Sequence, residues 1–177
     1  MTKKLSIKII ERADIEEARL LHNDPSTLFK LTDIDYVSES EQEQWFESLS
    51  LSKRSRRYVV RELPNNDFVG VVRIDQIDLN NKSACIGLDI TYGKRGNGFA
   101  KDIYAFIFEY YFKQKGFHRL YLATLETNQI ALNLYENLGF KREGISREAI
   151  YRDGKFVDLI WMSLLQREYN EMIERVN

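Results

Sequence analysis

The 177-residue chain reads as one α+β domain on a mixed, mostly antiparallel sheet of about seven strands flanked by helices, in the order β-α-α-β-β-β-α-β-α-β-β. Three observations predict it. Three short strand-like runs follow one another between Arg57 and Tyr92, separated by turn clusters. After Gly93 the pattern changes to apolar helices alternating with strands. The length suits one hydrophobic core, and neither a Gly/Ser-rich linker nor an internal repeat divides residues 1–177.

Leu5 to Arg12 sets Leu5, Ile7 and Ile9 against Ser6, Lys8 and Ile10, a strand alternation. Asp14 caps a helix carrying Ile15, Ala18 and Leu21 or His22, and Asn23-Asp24-Pro25-Ser26 breaks it. Ser38 to Leu49 is a second helix with Trp45, Phe46 and Leu49 on one side. Arg57 to Glu62, Phe68 to Ile77 and Ala84 to Tyr92 are antiparallel strands joined by turns at Leu63–Asp67 and Leu79–Lys82. Phe99 to Lys115 is a helix apolar almost all round, so it is expected to be buried against the sheet until Gly116 ends it. Arg119 to Thr124 is a strand, and Asn128 to Leu138 a helix stopped by Gly139. Two strands, Lys141 to Tyr151 and Phe156 to Leu164, close the sheet around the turn Arg152-Asp153-Gly154-Lys155, and a short helix begins near Gln166.

Composition removes several functions. Lys plus Arg number 26 against 27 Asp plus Glu, so no basic footprint calls for nucleic acid. One cysteine, Cys85, cannot build a disulfide framework and points to a reducing compartment. His22 and His118 stand far apart, which argues against a zinc site. The uncharged apolar run Tyr104 to Phe108 is far below the roughly 20 residues that span a bilayer. Met1-Thr2-Lys3-Lys4 shows no signal-peptide core. The expectation is a soluble cytoplasmic protein with no metal, no nucleic-acid partner and no membrane.

Gly93-Lys94-Arg95-Gly96-Asn97-Gly98-Phe99-Ala100-Lys101 joins a strand to a helix. Successive amides and the positive helix end make an anion site there. Gly96 and Gly98 permit positive φ and a close approach of backbone to phosphate. A Walker loop would need Lys-Ser/Thr where Phe99 and Ala100 stand, and a dinucleotide fingerprint would need a glycine where Lys101 stands. A ligand-free glycine cap and loop is the other reading of this stretch.

Arg95-x-x-Gly98-x-Ala100 resembles the pyrophosphate-binding pattern Gln/Arg-x-x-Gly-x-Gly/Ala of the GNAT superfamily of N-acetyltransferases. Asn128-x-x-Ala131-x-x-Leu134-Tyr135-x-x-x-Gly139-Phe140 resembles that family's second signature, at the expected distance downstream. The strand order matches too. The stretch Arg147 to Asp158 resembles the branch of spermidine and ribosomal-protein-alanine N-acetyltransferases. The resemblance implies acetyl-CoA as cosubstrate, its pyrophosphate on the amides from Arg95 through Gly96, Asn97, Gly98, Phe99 and Ala100 to Lys101. Its pantetheine arm would pair with Ile90 and Tyr92, where the family's parallel strands splay apart, and meet Asn128 and Ala131. It also implies a homo-oligomer, a dimer or larger.

Acetyl transfer from a thioester to an amine needs a held cosubstrate, a neutral amine and a proton for the thiolate. Tyr135 is the candidate acid. It lies two helical turns after Asn128, itself a suitable N-cap, so both share one face. Spacing alone also fits a core aromatic on the stripe Ala131, Leu134, Tyr135, Leu138. Relatives often carry Glu as base where Cys85 stands here, so Asp89, Asp75 or a water chain is left for that role. Asp33, Asp35, Glu39, Glu41, Glu43 and Glu47 form an acidic run that suits either a cationic acceptor or a solvated helix face. Asp33, Glu41 and Trp45 are its candidate contacts. The basic run Lys53, Arg54, Arg56 and Arg57 is read as a solvated loop. The expected activity is N-acetylation of a polyamine or other small amine, then of a protein N-terminus or an amino sugar. A non-catalytic acyl-CoA-binding module and a nucleotide-phosphate enzyme are the readings from other classes.

Overall fold

The computed structural model describes residues 4–175. The reading of a leader-free N-terminus rests on Met1, Thr2 and Lys3 and lies outside the described residues. The strands are β1 (Leu5–Ile9), β2 (Arg56–Glu62), β3 (Asp67–Asp78), β4 (Ser83–Ile90), β5 (Arg119–Leu125), β6 (Lys141–Arg152) and β7 (Lys155–Leu165). They form a seven-stranded sheet in the order β1-β2-β3-β4-β5-β7-β6. β4 and β5 run parallel, and every other neighbouring pair is antiparallel. A parallel neighbour needs a long crossover, and the helix α4 (Phe99–Phe108) provides it. The remaining helices are α1 (Ile15–Asn23), α2 (Pro25–Leu28), α3 (Glu39–Leu51), α5 (Gln129–Asn137) and α6 (Gln166–Glu174). The class and the mixed seven-stranded sheet flanked by helices agree with the sequence expectation.

Several details differ from it. The Asp14 carboxylate does not cap α1 but accepts from the Glu11 amide at 3.0 Å. Asp24-Pro25 does end α1, but it also starts α2. The Asp24 carboxylate accepts from the Ser26 amide at 2.9 Å and Pro25 occupies the first helical position, where its missing N–H costs nothing. The long apolar helix is α-helical only to Phe108; Glu109–Gln114 widens into a π-helical turn, with the Lys115 amide donating to the Tyr110 carbonyl at 2.9 Å. Its burial is one-sided. Ile103, Tyr104 and Phe112 are fully buried, whereas Phe106 is 41% exposed and stacks on Tyr110 instead.

The sheet is covered on both faces, and strand alternation decides which residues go where. Val60, Val72, Ile74, Ala84 and Ile86 pack against Ile103, Tyr104 and Ile107 of α4, Leu132 of α5 and Tyr169 of α6. On the other face Val59 and Val71 meet Ala18 and Leu21 of α1 and Trp45 and Phe46 of α3. Arg73 and Asp75 therefore share the α1/α3 side with Val71, and Cys85, Gly87 and Asp89 share it across the β3–β4 ladder.

The Tyr104 and Tyr111 phenols both ionise above the usual tyrosine value, because burial penalises the phenolate; for Tyr111 the Tyr58 hydroxyl, 3.2 Å away, adds to the effect. The unfolded chain releases these protons near pH 10, by the ordinary phenol value, while the fold retains them, so stability falls as pH rises past about 10. The urea midpoint is expected to be lower at about pH 11 than at about pH 8.5, with Tyr111→Phe narrowing the difference. Ile103→Ala, at a position with 0% exposure, is expected to cost about 2–5 kcal/mol in the same measurement.

Candidate active site

The ladder between β4 and β5 ends early. Ser83, Ala84 and Cys85 pair with Arg119, Leu120 and Tyr121, and beyond that register the two strands share no pair. β4 nevertheless continues against β3 to Ile90, and β5 continues against β7 to Leu125. A cleft of about 680 Å³ occupies the gap. Its walls are Leu88 and Ile90 of β4, Thr124 and Leu125 of β5, the start of α4, and Asn128, Ala131 and Tyr135 at α5.

One end of the cleft is the loop before α4. Gly96 and Gly98 take φ of 73° and 82°, and a Cβ at either would have nothing within 4 Å, so the backbone is open to approach. The Arg95 and Lys101 amides donate to the Tyr92 and Gly98 carbonyls. Among the described residues nothing accepts from the amides of Gly96, Gly98 and Ala100, which leaves three donors at a helix start. The Arg95 side chain turns away from this cradle. Its Nε donates to the Ile90 carbonyl at 2.8 Å, and its terminal nitrogens donate to the Ser26 carbonyl, the Ser26 hydroxyl and the Thr27 hydroxyl at 3.1, 2.9 and 2.6 Å. Arg95 thus ties the loop to the end of β4 and to α2.

Tyr135 faces the same cleft from α5. Asn128 caps that helix, its side-chain oxygen accepting from the Ala131 amide at 3.4 Å. The Tyr135 ring stands edge-on to Tyr104, with centroids 6.1 Å apart, and packs on Phe140 at 5.8 Å. The Tyr104 hydroxyl is buried beside it without a hydrogen bond of good geometry. Burial raises the Tyr135 pKa above its ordinary value, the neighbouring Tyr104 hydroxyl offsetting part of this. The phenol is therefore a proton carrier at neutral pH, available as an acid.

The two candidate bases also line the cleft, but neither carboxylate is free. Arg57 holds Asp75 at 2.7 Å, and Arg73 holds Asp89 at 3.0 Å. Cys85 lies between them on the cleft wall, and burial, together with the Asp75 charge, pushes its thiol pKa up. The remaining residues singled out in the sequence fall elsewhere. Tyr92 is 72% exposed in the turn Tyr92–Lys94, because β4 stops at Ile90. The Asn97 amide side chain donates to the Arg95 carbonyl and so stabilises the loop, while Phe99 packs inward and its buried ring touches the cleft floor. Asp33 accepts from the Asp35 amide at 3.1 Å in an exposed turn. Glu41 closes the capping box of α3, accepting from the Ser38 amide at 2.8 Å. Trp45 belongs to the α1/α3 core, with the Arg57 guanidinium 5.8 Å from its ring centre. In place of the acidic run the cleft receives Thr27, Lys30 and Leu31 from α2 and its exit, Arg73 from β3, and Trp161 from β7. Strand parity was the only signal for Arg73, since it lies two residues from Asp75.

Comparison with known proteins agrees with this geometry. The model of an acetyltransferase (GNAT) domain matches residues 7–161. A spermidine N(1)-acetyltransferase of Vibrio cholerae is 28% identical over 169 residues, which is 96% of this chain and 97% of that one. An uncharacterized N-acetyltransferase of Bacillus licheniformis is 26% identical, covering 95% and 96% of the two chains. The crystal structure of the spermidine N-acetyltransferase from Vibrio cholerae in complex with CoA and spermine superposes with a TM-score of 0.89 at 27% identity, over 94% of this chain and 98% of that one.

The raised thiol pKa has a direct consequence. Iodoacetamide is expected to label Cys85 at least about tenfold more slowly in the folded protein than in the urea-unfolded chain at neutral pH, with the folded rate rising only above the ordinary thiol value of about 8.5. Equal rates at neutral pH would show an unperturbed, accessible thiol and would overturn this reading.

Proposed function

Because the chain belongs to the GNAT acetyltransferase family, we propose that it moves the acetyl group of acetyl-CoA to a small primary amine by direct attack in a ternary complex. The carrying observation is one cleft that holds both the three uncommitted amides of Gly96, Gly98 and Ala100 and the buried phenol of Tyr135. The cradle fits a diphosphate: it has backbone donors, a positive helix end and no side chain above the glycines. The unpaired edge of β4 up to Ile90 fits an extended amide-bearing arm, which can add to a strand edge through main-chain hydrogen bonds. Acetyl-CoA supplies the activated thioester.

The chain's own residues supply position and a proton. The loop amides anchor the cosubstrate at the helix start. Asn128 and Ala131 line the path between the loop and Tyr135. Tyr135 gives its proton to the departing sulfur. Phenol and thiol have unperturbed values of about 10 and 8.5, so a phenol serves as acid and is readily reprotonated. Arg57 and Arg73 occupy Asp75 and Asp89, so water in the cleft takes the proton of the attacking amine. The relatives' names place spermidine first among amines to be tried. The acidic run that would favour a polyamine is engaged on α3 and in its flanking turn.

Tyr135→Phe is expected to lower kcat by roughly 10²–10³ while CoA affinity stays within a factor of about two, measured by thiol release and by calorimetry. An unchanged kcat would remove Tyr135 from proton transfer. CoA binding by the unmutated protein with no thiol release on any amine would identify a non-catalytic binding module instead.

A further inference from the structure

Arg73 is out of place in an apolar strand. Its neighbours Val72 and Ile74 are buried in the main core and Val71 in the second one. The side chain lies across the β3–β4 pair toward the cleft, over Gly87. A Cβ on Gly87 would come within 2.9 Å of an Arg73 terminal nitrogen and 3.1 Å of the guanidinium carbon. Gly87 is thus the seat that lets the guanidinium lie flat on β4. The Asp89 carboxylate pairs with Nε at 3.0 Å without hydrogen-bond geometry, and among the described residues nothing accepts a hydrogen bond from the two terminal nitrogens. The group is close enough to Tyr135 for its charge to act on that phenol.

The charges around it are one-sided. Asp75 and Asp89 each already face an arginine. Lys30 and Lys101 add exposed cations on the same cleft. The acids of α3 are turned elsewhere: Glu41 caps the helix, and Glu43 and Glu47 both pair with Arg12. A polyamine entering here would meet the unfilled terminal nitrogens of Arg73, while Asp75 and Asp89 are already paired to arginines. A planar guanidinium with unfilled donors matches an oxyanion, which it can take bidentately.

We propose that Arg73 reads the acceptor, its terminal nitrogens binding an anionic group, carboxylate or phosphate, carried by the same molecule whose amine is acetylated. This rests on the acetyl-transfer reading and narrows its substrate class to amines bearing an acid group. Arg73 acts as a specificity residue, placing the amine at the gap while Tyr135 serves the sulfur.

Matched acceptors test it by thiol release from acetyl-CoA: glucosamine 6-phosphate against glucosamine, an α-amino acid against its amide, and spermidine. The anion-bearing member of at least one pair is expected to exceed its neutral partner by about tenfold or more in kcat/KM, and which pair responds tells phosphate from carboxylate. Arg73→Gln is expected to erase that preference, chiefly through KM for the acceptor, with CoA binding retained. Arg73→Lys should restore part of it. Gly87→Ala, which leaves Arg73 in place but displaces its guanidinium, should weaken the preference independently. Equal rates within both pairs, spermidine as the best acceptor, or an undiminished preference in Arg73→Gln would each overturn the assignment. CoA binding with no thiol release on any amine would instead overturn the acetyl-transfer reading, and this one with it.

Discussion

The parting of β4 from β5 is the constraint on which the rest depends. Each strand is held on its outer side for its full length, β4 by β3 to Ile90 and β5 by β7 to Leu125. Between them only the register Ser83–Cys85 against Arg119–Tyr121 is closed. Backbone groups beyond Cys85 on the facing edges must find partners outside the sheet, since buried N–H and C=O groups are rarely left unpaired. The gap is thus a slot of unpaired strand-edge backbone between walls that include Leu88, Ile90 and Leu125. Its floor comes from α4 and α5, which pack beneath the two halves through Ile103, Ile107 and Leu132.

That opening puts unlike chemistry within one cleft. The start of α4 lies at one end, because the crossover leaves β4 where the ladder is already broken. The Asn128 cap brings α5 in at the facing strand end, and the helical repeat carries Tyr135 back over the slot. Burial there keeps the phenol protonated and the Cys85 thiol protonated as well. The same burial that favours acid chemistry at Tyr135 argues against nucleophilic chemistry at Cys85.

Three arginines on the cleft side differ in what they do, although the sequence treats them alike. Arg95 is saturated by Ile90, Ser26 and Thr27 and works as a tether that brings α2 to the loop. Arg57 holds Asp75 and lies against Trp45, joining the sheet to α3. Arg73 alone of the three lines the cleft with terminal nitrogens from which no described residue accepts. A planar fork that binds several acceptors at fixed angles suits all three roles, which a lysine point charge would not.

Much was legible in the chain because its signals are local. Glycine spacing, the Asn128 cap, strand alternation and turn clusters depend on neighbours a few residues apart, and they made legible the succession of strands, the glycine loop before α4 and the shared face of Asn128 and Tyr135 on α5. The acidic run misled for the same reason: Glu41, Glu43 and Glu47 look like a binding wall until the cap and Arg12 are seen to take them. What only the tertiary structure decided is which charges remain unanswered in the cleft. Arg73 meets Asp89 and Gly87 across a ladder, and Arg95 meets a one-turn helix some seventy positions earlier in the chain. Electrostatic pairing is a property of distances between strands and helices, and no periodicity along one strand encodes it.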